Sequence, residues 1–261
     1  MKILKLGQML GGSNAPSGAV AFENLYSLDF DGVDDYVTFG DSNDFSFGNG
    51  TSDTPFSISA WINMNDATKF RILSKSASGT NIEWLFGVGG SDKLGIFLYD
   101  SAGANQIKRE SAAITSDEGS WINVVATYNG NGDNTDLNLY INGIDENDSV
   151  GKTGTYVAMH NGTAPLNMGR FVSDSGSATY SDGNIDEISL WGKELSSGEV
   201  SAIYNSGTPT DLSGESNLIG YWRNGDTAGT SVYPTIEDYS SNSNNGTMTN
   251  MASGDIVTDV P

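Results

Sequence analysis

Aspartate residues gather at two places in the sequence, and their type and spacing suit cation binding. Asp29, Asp31, Asp34 and Asp35 lie within one short stretch, and Asp186 lies far later in the chain. Carboxylate oxygens are the ligands that calcium prefers, with backbone carbonyls and water completing the shell. A fold that brings the early stretch against the later strand would build a calcium site. The spacing is not that of an EF-hand loop, and the alternative is that these carboxylates accept backbone N–H groups in Asx turns.

The composition excludes several kinds of chemistry. The 261-residue chain has no cysteine, so disulfides and thiolate metal sites are excluded. His160 is its one histidine, which argues against a histidine zinc site or a catalytic triad. With 33 acidic and 12 basic residues the net charge is −21, so nothing is available to neutralise the phosphates of a nucleic acid. No apolar run is long enough to predict a membrane span.

The aspartates lie in or beside segments that are predicted to be β-strands. The clearest is the alternating run from Phe56 to Met64, in which every second residue is apolar and is expected to face the core. Similar patterns predict strands over the following segments: Leu28–Phe30, Tyr36–Phe39, Arg71–Lys75, Ile82–Val88, Lys93–Tyr99, Trp121–Tyr128, Leu137–Asn142, Leu166–Phe171 and Ile185–Trp191.

One short helix is predicted after these strands. Ser196 is a good N-cap, and Glu199 three residues later completes a capping box. Val200 and Ile203 then give the helix an apolar stripe. We therefore expect an all-β, two-sheet antiparallel jelly-roll sandwich with one short helix near residues 196–206.

Three motifs resemble those of a known family. The opening Leu28–Val37, Leu-Asp-Phe-Asp-Gly-Val-Asp-Asp-Tyr-Val, resembles the Leu-x-Phe-Asp-Gly-x-x-Asp-Tyr-Val start of laminin-G-like, concanavalin A-like jelly rolls. Phe56–Ile62 and Trp121–Tyr128 resemble two further strands of those domains, which occur in marine phage and bacterial surface proteins. The resemblance covers roughly Leu28 to Gly207 and implies the same lectin/glucanase fold.

The resemblance also bears on the aspartates. Many such jelly rolls hold a structural calcium, and the resemblance implies Asp31, Asp34 and Asp186 as ligand candidates. Asp35 joins them because it lies in the same loop. We therefore predict one structural calcium site formed by these four residues.

A catalytic site is not expected. Glycosidases of the laminarinase type share this fold and need Glu-x-Asp-x-x-Glu on one strand, which supplies a nucleophile and an acid. The matching segment here begins with Asn184 and ends with Ser189, and neither side chain can do that chemistry. The polar and aromatic loop Phe171–Gly183 could instead form the rim of a glycan-binding surface, although no ligand-binding residue can be singled out.

The chain is predicted to divide into four parts. Residues 1–20 have the composition of an N-terminal arm or linker, with a frayed terminus as the alternative. Residues 21–210 form the jelly roll. Residues 211–250 are too few for a second sandwich and are expected to close onto the first one as a strand segment. Residues 251–261 are a tail.

These observations favour a non-enzymatic phage virion surface protein, such as a capsid decoration, a head fibre or a tail-associated jelly roll. The N-terminus carries no recognised export signal, and assembly into a particle would provide a route outward. We expect attachment to other virion proteins through the arm, a homo-oligomer, and possible contact with host glycans at the virion surface. The alternative is a secreted or cell-surface carbohydrate-binding adhesin of a marine bacterium. A glycoside hydrolase is the third reading.

Overall fold

Two antiparallel sheets make up the fold. The structure is a computed structural model that describes residues 22–100, 105–225 and 233–261, so the predicted arm, residues 1–20, lies outside the described residues. In chain order the elements are β1 (Ser27–Asp31), β2 (Tyr36–Gly40), β3 (Phe56–Met64), β4 (Arg71–Ser76), β5 (Ile82–Val88), β6 (Lys93–Tyr99), β7 (Gln106–Ala113), β8 (Ile122–Tyr128), β9 (Leu137–Ile141), β10 (Ile144–Asp145), β11 (Ser149–Thr153), β12 (Leu166–Met168), β13 (Arg170–Val172), β14 (Ala178–Tyr180), β15 (Asp182–Trp191), α1 (Ser197–Tyr204), β16 (Leu218–Trp222), β17 (Thr235–Ile236), β18 (Gly246–Thr249) and β19 (Ile256–Val257).

The strand order confirms the predicted sandwich. The first sheet runs β10-β9-β8-β3-β15-β1-β19, and β16 also pairs with β15. The second sheet runs β11-β7-β6-β5-β4-β12-β2-β18-β17. The short strands β13 and β14 form a separate hairpin. Strands distant in sequence are therefore neighbours in both sheets, as in a jelly roll.

The core lies between the two sheets. Alternate residues of β3, from Phe56 to Met64, are at most 1% exposed, which confirms the predicted face. The Phe56 ring lies 5.9 Å from the Trp84 ring of β5 and 4.3 Å from the Phe47 ring. Burying a side chain of this size stabilises the fold by roughly 1.5–3 kcal/mol, so the core-facing side chains of β3 contribute much of the stability.

Helix α1 covers the outer face of the first sheet. The capping box is confirmed, because Glu199 N–H donates to Ser196 Oγ over 3.3 Å and Ser196 N–H donates to Glu199 Oε2 over 2.8 Å. Val200 and Ile203 are buried in a second apolar cluster that includes Trp191. Among the described residues, no helix has the length and apolar character needed to cross a membrane.

The tryptophans of three predicted strands, Trp61, Trp121 and Trp191, lie in different places. Trp61 and Trp191 are buried, but on the outer face of the first sheet, where Trp61 stacks on Tyr204 of α1 with ring centres 6.0 Å apart. Trp121 is half-buried just before β8, and its Nε1 donates to Asp259 Oδ1 over 3.0 Å. The helix therefore turns one sheet face into a second apolar layer.

The C-terminal residues contribute to both sheets. β16 pairs with β15 and β18 pairs with β2. The segment 251–261, treated above as a tail, differs from that description because β19 pairs with β1 and Ser27 Oγ donates to the Asp259 carbonyl over 2.6 Å. The pairing covers a strand edge that would otherwise expose its backbone groups. The domain boundaries themselves stay a prediction.

Candidate functional site

The turn between β1 and β2, here called the Asp loop (Asp31–Asp35), gathers three carboxylates. Asp31 Oδ1 accepts the N–H groups of Val33, Asp34 and Asp35 over 2.8, 3.2 and 3.4 Å. Asp31 N–H donates in return to Asp35 Oδ2 over 3.2 Å. One carboxylate oxygen each of Asp31, Asp34 and Asp35 lies within 4.8 Å of the others. The Asx-turn alternative and the metal alternative are thus both compatible with the loop.

The electrostatics of the Asp loop favour a cation. Burial opposes ionisation of Asp31, but the three backbone N–H donors outweigh it and lower its pKa. Burial, and then the charge of Asp31, raise the pKa of Asp35 from 3.8 to about 6, and Asp255 and Asp34 add to the shift. Near neutral pH the loop therefore holds crowded negative charge that a divalent cation would relieve. Oxygen donors of this kind fit part of a calcium shell.

The fourth predicted ligand, Asp186, does not join this cluster among the described residues. The β1–β15 register sets Asp31 opposite Asp182, which places Asp186 four residues farther along the strand, opposite Trp61. Asp186 is fully buried, and its Oδ2 accepts Asn24 Nδ2 over 2.9 Å. The sequence alone could not predict which of the two β15 aspartates, Asp182 or Asp186, lies opposite Asp31.

A bulge in β15 creates a buried ionic cluster that the sequence did not predict. Glu187 has φ +47°, a left-handed conformation, at the point where the β15–β3 register shifts. Its Oε2 accepts the Tyr221 hydroxyl, and its Oε1 accepts Arg223 Nε over 3.1 Å. The Arg223 guanidinium lies 4.3 Å from the centre of the Phe22 ring. Burial, and then the charge of Glu187, raise the pKa of Tyr221. The cluster ties the segment before β1 to the sheet.

The two positions that a glycosidase would need are structural here. Asn184 is 8% exposed, and its Nδ2 donates to Ser27 Oγ over 3.3 Å. Ser189 is fully buried, and its Oγ accepts Trp191 Nε1 over 2.8 Å. Neither side chain is an acid or points into an open cleft, so this strand lacks the carboxylate pair of that mechanism.

The β13–β14 hairpin lies over the outer face of the second sheet. Arg71 Nε donates to Thr179 Oγ1 over 2.9 Å, and Ser74 Oγ donates to the Arg170 carbonyl over 2.6 Å. These bonds run from β4 to both strands of the hairpin. They hold Phe171, in the predicted rim, half-buried above the sheet, with the Arg71 guanidinium 5.6 Å from its ring centre.

Three half-buried side chains of that hairpin and one of β2 form a group, here called the Arg170 face (Tyr36, Arg170, Phe171 and Tyr180). The Arg170 guanidinium lies 4.4 Å from the Tyr36 ring centre and 5.9 Å from that of Tyr180. The two tyrosine rings are 6.4 Å apart. Cation–π contacts of this length restrain the guanidinium. The face combines exposed ring surface with N–H donors, and its arginine was not singled out from the sequence.

A cavity also lies beside α1. It has a volume of about 170 Å³ and is lined by Trp191, Glu199 and Asp211, among others. Lys193, also in its lining, pairs with Glu199 over 2.6 Å and lies 5.3 Å from the Trp191 ring centre. Its one lysine is thus already neutralised, and the cavity offers mainly acceptors.

Comparison with known proteins gives a consistent result for the fold. The family model of the concanavalin A-like lectin/glucanases superfamily matches residues 31–201. No curated protein matches the sequence.

Solved structures resemble the chain at low identity. A candidate carbohydrate-binding protein from Bacteroides ovatus is 17% identical with a TM-score of 0.54, over 87% of this chain and 58% of its own. A native heptameric SAP-like pentraxin from Limulus polyphemus is 15% identical with a TM-score of 0.48, over 70% of this chain and 84% of its own. Domain 4 of a GH43 extracellular arabinanase from Geobacillus stearothermophilus, in complex with arabinotriose, is 17% identical with a TM-score of 0.40, over 59% and 68%. Such identities show the fold alone.

Proposed function

This chain belongs to the concanavalin A-like lectin/glucanase superfamily, and from that premise we propose that it is a non-enzymatic carbohydrate-binding protein carried on the surface of a phage virion. The observation that carries the binding function is the Arg170 face, where two half-buried tyrosine rings and a guanidinium lie together. Binding sites for small polar ligands combine aromatic walls with a few placed polar groups. Tyrosine also keeps a hydroxyl within reach of a sugar hydroxyl.

The fold supports this proposal without locating the site. The Bacteroides ovatus protein, a candidate carbohydrate-binding protein, shares the sandwich with a TM-score of 0.54. Because one fold carries many activities, the residues of the site must be argued from this chain alone. The Arg170 face presents aromatic rings together with unneutralised positive charge on a sheet surface.

The non-enzymatic part of the proposal rests on β15. Asn184 and Ser189 occupy the positions of the nucleophile and the acid, and both are held in hydrogen bonds away from solvent. The carboxylates between them, Asp186 and Glu187, are also buried, and they accept hydrogen bonds from the side chains of Asn24 and Arg223. Retaining hydrolysis needs two carboxyl groups about 5 Å apart on either side of a bound sugar, which these residues do not provide.

The virion setting rests on charge and on the layout of the chain. A net charge of −21 favours a soluble surface position and disfavours contact with packaged nucleic acid. The described chain begins and ends beside β1, since Asn24 contacts Asp186 on the neighbouring strand and Ser27 contacts Asp259. An attachment through the predicted arm would therefore approach the first sheet and leave the outer face of the second sheet open to a glycan.

Glycan binding is tested on the Arg170 face itself. Wild type and the variants Tyr36→Ala and Tyr180→Ala should be compared on a panel of immobilised neutral and acidic polysaccharides. We expect each variant to lose about tenfold in affinity, or roughly 1.4 kcal/mol. Tyr26→Ala, which removes a ring that is 37% exposed elsewhere, is the matched control and should bind normally. Unchanged binding by both variants, or release of reducing ends from any polysaccharide, would overturn the proposal.

The virion setting needs a separate test. Particles from the cells that produce this chain should be banded in a density gradient and probed with an antibody to it. We expect the chain in the particle band in a fixed ratio to the coat protein. Recovery in the cell envelope fraction alone would favour the adhesin instead.

A further inference from the structure

A cavity of about 270 Å³ opens beside the β13–β14 hairpin. Its walls are residues 76–78 at the end of β4, Pro165, Arg170, Val172 and Gly176. It adjoins the Arg170 face, because Arg170 is the charged residue in its lining. The cavity is large enough for one small polar group together with water.

Arg170 is not neutralised by any carboxylate among the described residues. The ion pairs of the structure involve Lys75, Lys93, Lys108, Lys193 and Arg223, and none includes Arg170. Its Nε atom is buried and has no hydrogen-bond partner. In a chain with 33 acidic and 12 basic residues, this is unexpected. A guanidinium without a carboxylate partner, with one N–H group already left unbonded, favours an acceptor from outside the chain for its remaining N–H groups.

The guanidinium is also held in place before any ligand arrives. Tyr36 and Tyr180 contact it through their ring faces. The backbone is fixed, because Ser74 Oγ donates to the Arg170 carbonyl and Ser76 Oγ accepts the neighbouring Val172 N–H over 3.1 Å. These contacts order the side chain in part before binding, which lowers the free energy that a ligand must supply to order it.

We propose that this cavity binds one anionic group of an acidic glycan, a uronic acid carboxylate or a sulfate ester. Arg170 donates N–H groups from its two terminal Nη atoms to two oxygens of the anion, a paired geometry that guanidinium groups favour. Ser78 lines the cavity and offers a hydroxyl to a further oxygen. The tyrosine rings then meet the sugar ring that carries the anion. The inference rests on the proposed glycan-binding function and narrows its ligand to acidic sugars.

Long-range charge cannot produce this binding. The net charge of −21 repels polyanions, so any selective affinity for them must come from a local site. Asp174 at the hairpin tip is exposed and forms no ion pair with Arg170 among the described residues. The hairpin's own carboxylate therefore does not fill the cavity.

The direct test follows the Arg170 Nε–H signal in an NMR titration. The signal is assigned by its loss in Arg170→Lys, which keeps the charge and loses the paired donors. Sodium glucuronate and sodium sulfate should each shift it, and neutral glucose should not. If glucose shifts it equally, or if neither anion does, the inference is overturned. A response to only one anion decides between carboxylate and sulfate.

A polysaccharide assay separates this inference from the proposed function. Wild type should bind dextran sulfate or polyguluronate at least about tenfold more tightly than unmodified dextran. Arg170→Gln and Arg170→Lys should lose that preference, and Lys152→Gln, which removes an exposed charge on β11, should keep it. Retained preference in Arg170→Gln overturns the inference. Equal binding of neutral and acidic polymers by wild type also overturns it but leaves glycan binding intact, and no binding of either polymer defeats both. Thermal melts of each variant verify that it is folded.

Discussion

Asp31 lies opposite Asp182 across the β1–β15 ladder, and Asp186 lies four residues farther along the same strand. The register therefore divides the four predicted calcium ligands into two groups. Asp31, Asp34 and Asp35 share the Asp loop. Asp186 instead accepts a hydrogen bond from Asn24, which precedes β1. The calcium prediction is therefore limited to the three aspartates of the Asp loop.

We expect calcium to bind the Asp loop without Asp186. At pH 7.5, millimolar calcium should raise the Tm relative to EDTA, because a ligand that binds only the folded state stabilises it. Asp34→Asn should remove most of that rise. The control Asp211→Asn removes another exposed aspartate that accepts a backbone N–H, from Ser213, and should leave the rise unchanged. An unchanged Tm in wild type would leave the loop as an Asx turn alone.

Asp35 should make the metal-free protein less stable as the pH rises. Its folded pKa, about 6, lies above its ordinary value of 3.8, so the folded state binds the proton more tightly between these values. Stability should therefore fall from pH 4 to pH 6 and level off above, by about 3 kcal/mol at most. Asp35→Asn should remove this dependence in EDTA, because its amide oxygen can still accept Asp31 N–H. A Tm difference between variant and wild type that stays flat from pH 4 to pH 8 contradicts the assignment.

Arg223 should matter more to stability than an exposed cation of equal charge. Its pair with Glu187 has side-chain exposures of 12% and 3%, so Arg223→Met leaves a buried carboxylate with one cationic partner fewer. Removing one member of a buried pair costs about 3–5 kcal/mol. We expect about 3 kcal/mol by urea denaturation, because Tyr221 still donates to Glu187. Lys193→Met breaks a pair with exposures of 25% and 44% and should cost less than about 1 kcal/mol. Equal losses in the two variants would refute the reasoning.

Lys75 should be the lysine whose replacement lowers the free energy of unfolding most. Its side chain is fully buried, and Nζ lies 2.6 Å from Asp41 Oδ1, 2.7 Å from the Ala164 carbonyl and 3.3 Å from Glu83 Oε1. Lys75→Met should cost about 3–5 kcal/mol. Burial raises the pKa of Glu83 and Lys75 opposes that shift, so the loss should be larger at pH 8 than at pH 5.

The double variant Lys75→Met/Glu83→Gln supplies the control for that prediction. It removes the carboxylate that the single variant leaves unpaired, so it should recover part of the stability at pH 8 and little at pH 5. Unfolding by urea at both pH values measures the difference. A double variant no more stable than the single one at pH 8 would show that Glu83 is not the source of the loss.

Several features of the fold depend only on residues close together in the chain, and these could be predicted from the sequence. Alternation along Phe56–Met64 set the core face of β3, because side chains two residues apart share one side of a strand. The capping box of Ser196 and Glu199 set the start of α1 over three residues. The turn in which Asp31 accepts its neighbours' N–H groups is equally local. Together with the family resemblance, these patterns determined the sandwich.

The contacts between residues far apart in the chain could not be predicted from the sequence. The register of β15 separated Asp186 from Asp31, and a bulge turned Glu187 toward Tyr221 and Arg223. Arg170 contacts Tyr36, which lies far away in sequence, because a hairpin folds over the second sheet. A one-residue shift in register or a single bulge changes such contacts without changing the alternating pattern that sequence reveals. The candidate site depends on contacts between residues that are distant in sequence, whereas the fold depends on the repeated local pattern.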